Sequence, residues 1–240
     1  MASKTFDKLF LCNDSYVCSA QEYWIVLNTR RDEYLCVTQQ DIDVIAPWLH
    51  GWNHSRSAER LPEESATATL LQSLVQREVL TGNRLEGKIF AKSEYEAPTG
   101  AISEDDNPGN RVSPGGLWSF LRAAAVADWK LRVQPIAKTI RQVEERRLRR
   151  SSSTAPTDIE AAQTVLQAFW SFRALYPRRY LCLFDSLALL EFLASAQIFP
   201  NWVFGVMANP FAAHCWVQAG CIVLNDDLEQ VSGYTPIMVK

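Results

Sequence analysis

The sequence lacks any apolar run approaching the ~20 residues that a membrane-spanning helix requires. It also lacks a large excess of charge of one sign, since its formal net charge is −3 over 240 residues. Proteins that bind nucleic acid in general need a surplus of lysine and arginine, so such binding is not expected. The first residues lead into no signal-peptide core, and we therefore expect a cytoplasmic protein. With 48% hydrophobic residues, the composition is that of a globular protein with one or two domains.

The six cysteines and three histidines do not have the spacing of metal ligands. No two cysteines stand two to four residues apart, as they would in a structural zinc site. The acidic cluster at 104–106 lacks the fixed ligand positions of a calcium loop. No Gly-x-x-x-x-Gly-Lys-Ser/Thr segment occurs, so we expect neither a bound metal nor a directly bound nucleotide.

The order of hydrophobic patterns predicts an α+β protein with two domains. Residues 1–82 predict a small sheet followed by helices, with strands at 9–12, 15–18, 23–27 and 33–37, a short helix capped by Thr38 or Asp41, and an amphipathic helix at 66–80. The polar, Pro- and Gly-rich range 83–115 predicts a linker. The second domain, 116–240, begins with a helical region that Pro135 interrupts, and its apolar side is predicted to carry Leu117, Leu121, Ala124 and Ala125.

Cys182 stands where a proline- and arginine-containing segment gives way to an apolar helical stripe. The stripe repeats at three- and four-residue spacing and predicts a buried helix that begins near the cysteine. The first turn of a helix favours an anion, which lowers a thiol's pKa and makes it a nucleophile. A lone cysteine is more often a small buried residue, so the assignment depends on a partner. Asp185, one turn further on, would oppose a thiolate, and we expect it to face solvent or Arg178 and Arg179.

His214 is the histidine that lies in a strand pattern, and it provides that partner. Residues 211–218 and 221–226 predict two strands joined by a tight turn. A three-residue loop that pairs Gln218 with Ile222 places His214 opposite Asp226. A two-residue loop places Asn225 there instead, because a one-residue slip reverses every face. Either side chain can orient a catalytic histidine; Asp226 is preferred and Asn225 is the alternative.

These residues carry a resemblance to a known family. The segments Cys-Leu-x-x-Ser-Leu-Ala-Leu (182–189), Gly-Val (205–206), Pro-Phe-x-x-His-x-Trp-Val (210–217) and Asn-Asp (225–226) resemble the lasso peptide B proteins, which are leader peptidases with a papain/transglutaminase-like cysteine protease domain. The resemblance implies that Cys182 is the nucleophile, His214 the base and Asp226 the third member. Two residues depart from the family pattern: Cys215 replaces a small residue, and Gln218 replaces a common acid.

The N-terminal pattern resembles the winged-helix, PqqD-like domain that is fused to many B proteins. Such a domain binds a leader peptide by adding it to an exposed strand edge, while pockets under alternate side chains give specificity. By resemblance, the edge is the strand at 33–37 and the helix at 66–80 closes the groove. The candidate leader-binding residues are Tyr34, Leu35, Val37, Leu71 and Leu74. Each of them taken singly is equally typical of a core position.

The resemblance further implies a precursor peptide as substrate and an asparagine-synthetase-like lasso cyclase as partner, with leader removal coupled to that cyclase and to its ATP. Two alternatives use the same residues differently. The chain could be a transglutaminase-like acyltransferase whose acceptor is an amine, or a non-catalytic carrier that binds the leader and docks the cyclase.

Overall fold

The computed structural model describes residues 8–52, 64–90, 95–102, 114–151, 159–173, 176 and 181–240. The described chain is α+β, as the sequence predicted. It divides into two compact units, Met1–Ser93 with Ala208–Phe211, and Glu94–Met207 with Ala212–Lys240. Among the described residues, no helix is both long and apolar enough to cross a membrane.

The first unit contains two small antiparallel sheets and two helices. One sheet has the order β2-β3-β4, built from β2 (Ser15–Ala20), β3 (Tyr23–Asn28) and β4 (Glu33–Thr38). The other has the order β5-β1-β6, built from β1 (Phe10–Cys12), β5 (Leu80–Thr81) and β6 (Gly87–Lys88). The four strands predicted before residue 38 are all present.

Side chains at the ends of β3 and β4 fix the turn and the helix that follow them. The Asn28 side-chain oxygen accepts the N–H groups of Arg30 at 3.1 Å and Arg31 at 3.2 Å, which closes the turn between β3 and β4. Thr38 is the N-cap of α1 (Gln39–Ile45), and its hydroxyl oxygen accepts the N–H of Asp41 at 3.2 Å. A short 3₁₀ helix (Ala46–Trp48) continues from α1. Of the two predicted caps, the structure uses Thr38.

Helix α2 (Glu64–Gln76) ends four residues before the predicted helix did. Glu78 has a φ of 57°, a left-handed conformation that cannot continue a helix. Leu80, which the helical pattern had included, instead forms β5 together with Thr81 and pairs with Leu11 of β1. Leu71 and Leu74 of α2 pack with Leu11 and Val79 in the core of this unit.

The predicted linker 83–115 is wrong for part of its length. Strand β6 lies inside it and pairs with β1 of the first unit. Strand β7 (Gly100–Ala101) also lies inside it and pairs in parallel with β10 of the second unit. Strands of two residues are too short to show alternation, so their sequence reads as loop. The part at 103–113 lies outside the described residues.

The second unit packs helices against a five-stranded sheet. The helices are α3 (Pro114–Val133), α4 (Ile136–Ser151), α5 (Ile159–Arg173), α6 (Cys182–Ser195) and α7 (Leu228–Ser232). The sheet has the order β11-β8-β9-β10-β7, with β8 (Asn201–Met207), β9 (Ala212–Ala219), β10 (Ile222–Val223) and β11 (Thr235–Val239). Pro135 separates α3 from α4, as predicted.

Helix α6 is the central element of this unit, since α3, α5 and β9 all pack against it. Its Phe184, Leu187 and Leu190 are buried, as the apolar stripe predicted. Near its C-terminal end, Glu191 accepts hydrogen bonds from Lys130 of α3 at 2.9 Å and Arg146 of α4 at 2.7 Å. Burial alone would raise the pKa of Glu191, but these two cations lower it, so the carboxylate stays charged and ties three helices together.

Candidate active site

Cys182 is the first residue of α6, at the edge of the buried core. The preceding residue, Leu181, is extended and provides no side-chain cap. The N–H groups of the first helical turn have no partner within the helix, and their partial positive charge favours an anion nearby. The thiol is half-buried, so it is reachable from solvent. This is the position that the sequence predicted for a nucleophile.

His214 lies on β9, and its backbone pairs with Gly205 of β8. Its ring contacts two aromatic rings, with centroid distances of 5.2 Å to Tyr234 and 6.1 Å to Trp216. A Cβ on Gly205 would come within 2.8 Å of the Trp216 ring and 2.9 Å of the Tyr234 Cβ. Glycine is therefore needed at residue 205 for the two rings that hold the imidazole to occupy their positions.

Asp226 binds the imidazole of His214 through a hydrogen bond. Its carboxylate accepts a hydrogen bond from His214 Nε2, and its second oxygen accepts the N–H of Asp227 at 2.9 Å. Because Nε2 is engaged by the carboxylate, Nδ1 is the nitrogen that can face the sulfur of Cys182. The side chains of His214 and Asp226 are only 12% and 17% exposed, so water competes little for this contact.

The structure differs from both predicted hairpin registers. Ile222 pairs with Ala219 and Val223 with Gln218, which leaves Gly220 and Cys221 as the turn. Neither predicted loop places the turn there, and extending the observed register would not bring Asp226 opposite His214. The two meet because β10 ends at Val223 and the chain then leaves the ladder.

Asn225 explains where the ladder ends. Its side-chain oxygen accepts the N–H of Val217 at 2.7 Å, which takes the place of the next backbone hydrogen bond. The amide is therefore committed to the backbone of β9, while the His214 ring bonds to Asp226. Of the two alternatives that the sequence left open, the structure brings Asp226 to the imidazole.

The two reactive groups carry opposite shifts in pKa. Hydrogen bonds from Cys215 and His214 lower the pKa of the Cys182 thiol from 9.0 to about 4, against the opposing effect of burial. Burial alone would lower the pKa of His214, but the contacts with Asp226 and Cys182 raise it from 6.5 to about 9. The proton therefore resides on the imidazole at neutral pH. The pair is a thiolate and an imidazolium, which is a nucleophile with an acid beside it.

Cys215, the first departure from the family pattern, lies deeper than Cys182. Its side chain is 3% exposed, and burial raises the pKa of its thiol well above the ordinary range. The Ser186 hydroxyl donates to the Cys215 carbonyl at 3.1 Å and also contacts the Cys182 carbonyl, so it joins α6 to β9 beside the thiolate. Cys215 thus remains a protonated donor to the nucleophile, while Cys182 ionises.

Gln218, the second departure, holds the strand in place through its amide. Its oxygen accepts from Trp216 Nε1 at 3.0 Å and from the Tyr95 hydroxyl at 3.3 Å. Its nitrogen donates to the carbonyls of Glu96 and Gly220, both at 2.7 Å. An amide can accept and donate in this way, which a carboxylate in its charged form cannot.

Asp185 does not face solvent, and its partner is a residue that the sequence analysis missed. Its carboxylate binds the guanidinium of Arg173, at the end of α5, and accepts the Leu181 N–H at 2.7 Å. The alternative partners, Arg178 and Arg179, lie outside the described residues. No periodic pattern links residues 173 and 185, so only the tertiary structure reveals the pair.

The candidate leader-binding residues of the first unit occupy two environments. Val37, Leu71 and Leu74 are 6%, 1% and 6% exposed and belong to the core, where a bound peptide would not reach them. Tyr34 and Leu35 are partly buried on β4. Strand β4 is at one end of its sheet among the described residues, as predicted. Three of the five residues thus take the core position that the sequence left open as an alternative.

Within the described ranges, no group of three or more histidine, cysteine, aspartate or glutamate side chains is arranged to hold a metal ion. A thiolate, an imidazolium and a carboxylate in line are suited to acyl transfer through a thioester.

The comparisons with known proteins agree with this class of chemistry. Residues 123–239 match the model of the transglutaminase-like superfamily, a range that contains Cys182, His214 and Asp226. A transglutaminase-like domain therefore forms the C-terminal half of the chain. Neither the curated proteins nor the solved structures gave a match.

Proposed function

We propose that the chain is a cysteine peptidase that removes the leader from a ribosomally made lasso peptide precursor. The observation that carries the proposal is the contact of Cys182 with His214 and of His214 with Asp226 within a transglutaminase-like domain. Among acyl-transfer reactions, the motifs at 182–189 and 210–217 favour leader removal, because they resemble those of the B proteins.

The reaction begins with the Cys182 thiolate, which attacks the carbonyl carbon at the end of the leader. The carbonyl oxygen becomes negatively charged, and the backbone N–H of Cys182, at the start of α6, can donate to it. His214, already protonated, gives its proton to the departing amine, which becomes the new N-terminus of the core peptide. The leader remains attached to the sulfur as a thioester.

Hydrolysis completes the cycle and restores the starting state. His214 accepts a proton from water, and the resulting hydroxide attacks the thioester, so that the leader leaves with a free carboxylate. Asp226 keeps the imidazole oriented with Nε2 toward the carboxylate and stabilises its positive charge. The Cys182 thiolate and the imidazolium are then regenerated.

We assign leader recognition to the first unit, through β4, which is an edge strand of its sheet among the described residues. An extended leader would add to the β2-β3-β4 sheet by main-chain hydrogen bonds. Tyr34 and Leu35 are the candidates for direct contact, whereas Val37, Leu71 and Leu74 would support the strand from the core. Peptide titration of the full chain tests this assignment: Leu35→Asp should weaken leader binding, while Leu85→Asp, at a residue that is 89% exposed, should not. Equal binding by both variants would contradict it.

The partner we propose is an asparagine-synthetase-like lasso cyclase that takes the released core. Its ATP would drive the macrolactam closure, so nucleotide binding belongs to the cyclase and not to this chain. The test is incubation of a precursor with the chain, with and without the cyclase and ATP, read by mass spectrometry. The proposal predicts free leader and free core without the cyclase, and free leader with a cyclised core when the cyclase and ATP are present.

Product mass separates this function from the two alternatives. Hydrolysis leaves a carboxylate on the leader, whereas a transglutaminase-like acyltransferase leaves an amide. A non-catalytic carrier leaves the precursor intact. Cys182→Ala should abolish cleavage, while Cys12→Ala, which removes a thiol from the first unit, serves as the control for loss of a cysteine.

A further inference from the structure

Arg173 is an almost fully buried cation that the mechanism above does not use. Its side chain is only 3% exposed, which is rare for arginine unless the charge is paired. Its guanidinium binds Asp185, donates to the Tyr176 carbonyl at 3.3 Å and lies 5.5 Å from the centre of the Phe184 ring. These contacts fix both the position and the orientation of the guanidinium.

Asp185 brings an unfavourable charge into the first turn of α6. Its negative charge and that of the Cys182 thiolate repel each other. The same carboxylate is useful there, because it holds the Leu181 N–H at 2.7 Å and so fixes the backbone just before the nucleophile. Burial raises the pKa of Asp185, and the hydrogen bond and charge of Arg173 act against that rise.

We propose that Arg173 is a positioning residue of the peptidase: it cancels the charge of Asp185, so that Asp185 can anchor the backbone before Cys182 without suppressing the thiolate. This role rests on the proposed function, in which Cys182 is the nucleophile. Arg173 acts through Asp185, whose carboxylate its guanidinium binds.

Among the residues that the structure describes, which exclude 177–180, the charged and titratable groups near the sulfur are few, so the effect of Arg173 on Cys182 can be measured separately. From β9, His214 and Cys215 face it; from its own helix, Asp185 does; Arg173 approaches from α5 behind Asp185. Lys130 of α3 and Arg146 of α4 form ion pairs with Glu191, which lies near the other end of α6.

The test is the rate of Cys182 alkylation by iodoacetamide as a function of pH, followed by site-resolved mass spectrometry on the full chain. It requires no peptide substrate, so its outcome is independent of whether the chain proves to be a leader peptidase. In Arg173→Gln, the midpoint of the profile should rise by about one pH unit, because Asp185 is no longer neutralised. Arg173→Lys, which keeps the charge, should stay within about 0.3 pH units of the parent chain.

The double variant Arg173→Gln/Asp185→Asn distinguishes a charge effect from a loss of packing. It removes both charges, while Asn can still accept the Leu181 N–H, so the midpoint should return to that of the parent chain. A midpoint that stays raised in the double variant would mean that Arg173 only packs the site, and it would overturn the proposal. An Arg173→Gln profile that superimposes on the parent profile would overturn it too.

The matched control is Arg146→Gln, which breaks a second buried ion pair of α6 far along the helix from Cys182. It should lower the melting temperature without moving the alkylation midpoint, and an equal shift in both variants would refute a local role for Arg173. If Arg173→Gln does not fold, the double variant carries the test alone: it must fold with the parent midpoint, and failure of either requirement would overturn the proposal.

Discussion

Replacing Gly205 by alanine tests whether the rings around His214 set its position. The added Cβ would lie 2.8 Å from one atom of the Trp216 ring and 2.9 Å from the Tyr234 Cβ, where ordinary contacts begin at 3.4 Å. The indole must therefore retreat by about 0.6 Å, and the imidazole stacked beside it must follow. Overpacking of this kind costs about 1–3 kcal/mol.

Two measurements report the effect of this substitution. The melting temperature of Gly205→Ala should fall by about 2–12 °C, given the size of the chain. The value of kcat/KM for a precursor peptide should fall by about tenfold to a hundredfold, because a misplaced base loses alignment with the sulfur.

The control is Gly115→Ala, in the first turn of α3, where a Cβ meets no described atom within 4 Å. Alanine is the better helix former, so this variant should keep full activity and at least the parent stability. If Gly205→Ala behaved like Gly115→Ala in both measurements, the reasoning from ring packing to histidine position would be refuted.

Three further predictions follow from the same site. Asp226→Asn should move the alkaline limb of the pH–kcat/KM profile down from about 9, because the carboxylate that raises the pKa of His214 is lost; an unmoved limb would contradict the assigned contact. Since that pKa is raised from 6.5 to about 9, the imidazolium adds stability that is complete below pH 6.5 and lost as pH rises through about 9. Denaturant titrations should therefore show a difference between the parent chain and His214→Gln that shrinks from pH 6 to pH 10, and a constant difference would speak against this. Gln218→Leu should lower the free energy of unfolding by about 1–3 kcal/mol, because Trp216 Nε1–H and the Tyr95 hydroxyl lose their acceptor; unchanged calorimetry would show that the network adds nothing.

Cys182 and His214 could be placed from the sequence because each lies in a short segment with a clear local pattern, whereas the preference for Asp226 depended on a hairpin register that the structure does not have. The apolar stripe located the start of α6 at Cys182, and alternation placed His214 on a strand. The register between β9 and β10 could not be predicted, because it depends on where the turn falls and where the ladder of backbone hydrogen bonds stops. Asn225 ends that ladder with its side chain, an effect that strand patterns do not encode.

Helix α3 shows a second kind of failure. Its helical period was predicted, but its buried face only in part: Ala124 is buried as predicted, whereas Leu121 is 39% exposed. The other buried residues of this helix are Phe120, Ala123 and Ala127, which the predicted face did not include, while Trp118 is 74% exposed. The Phe120 ring joins those of Phe169 and Phe192 from α5 and α6, so the helix is oriented by aromatic partners distant in sequence. Hydrophobicity alone would have favoured burial of Trp118.

The most direct test of the central claim is the mass of the chain itself after rapid acid quenching of its reaction with a precursor peptide. The account predicts a transient adduct of the leader mass less one water, located on Cys182 and absent from Cys182→Ala, which releases no leader. Leader released at the parent rate by Cys182→Ala, with no adduct on the parent chain, would contradict a thiolate mechanism at this site.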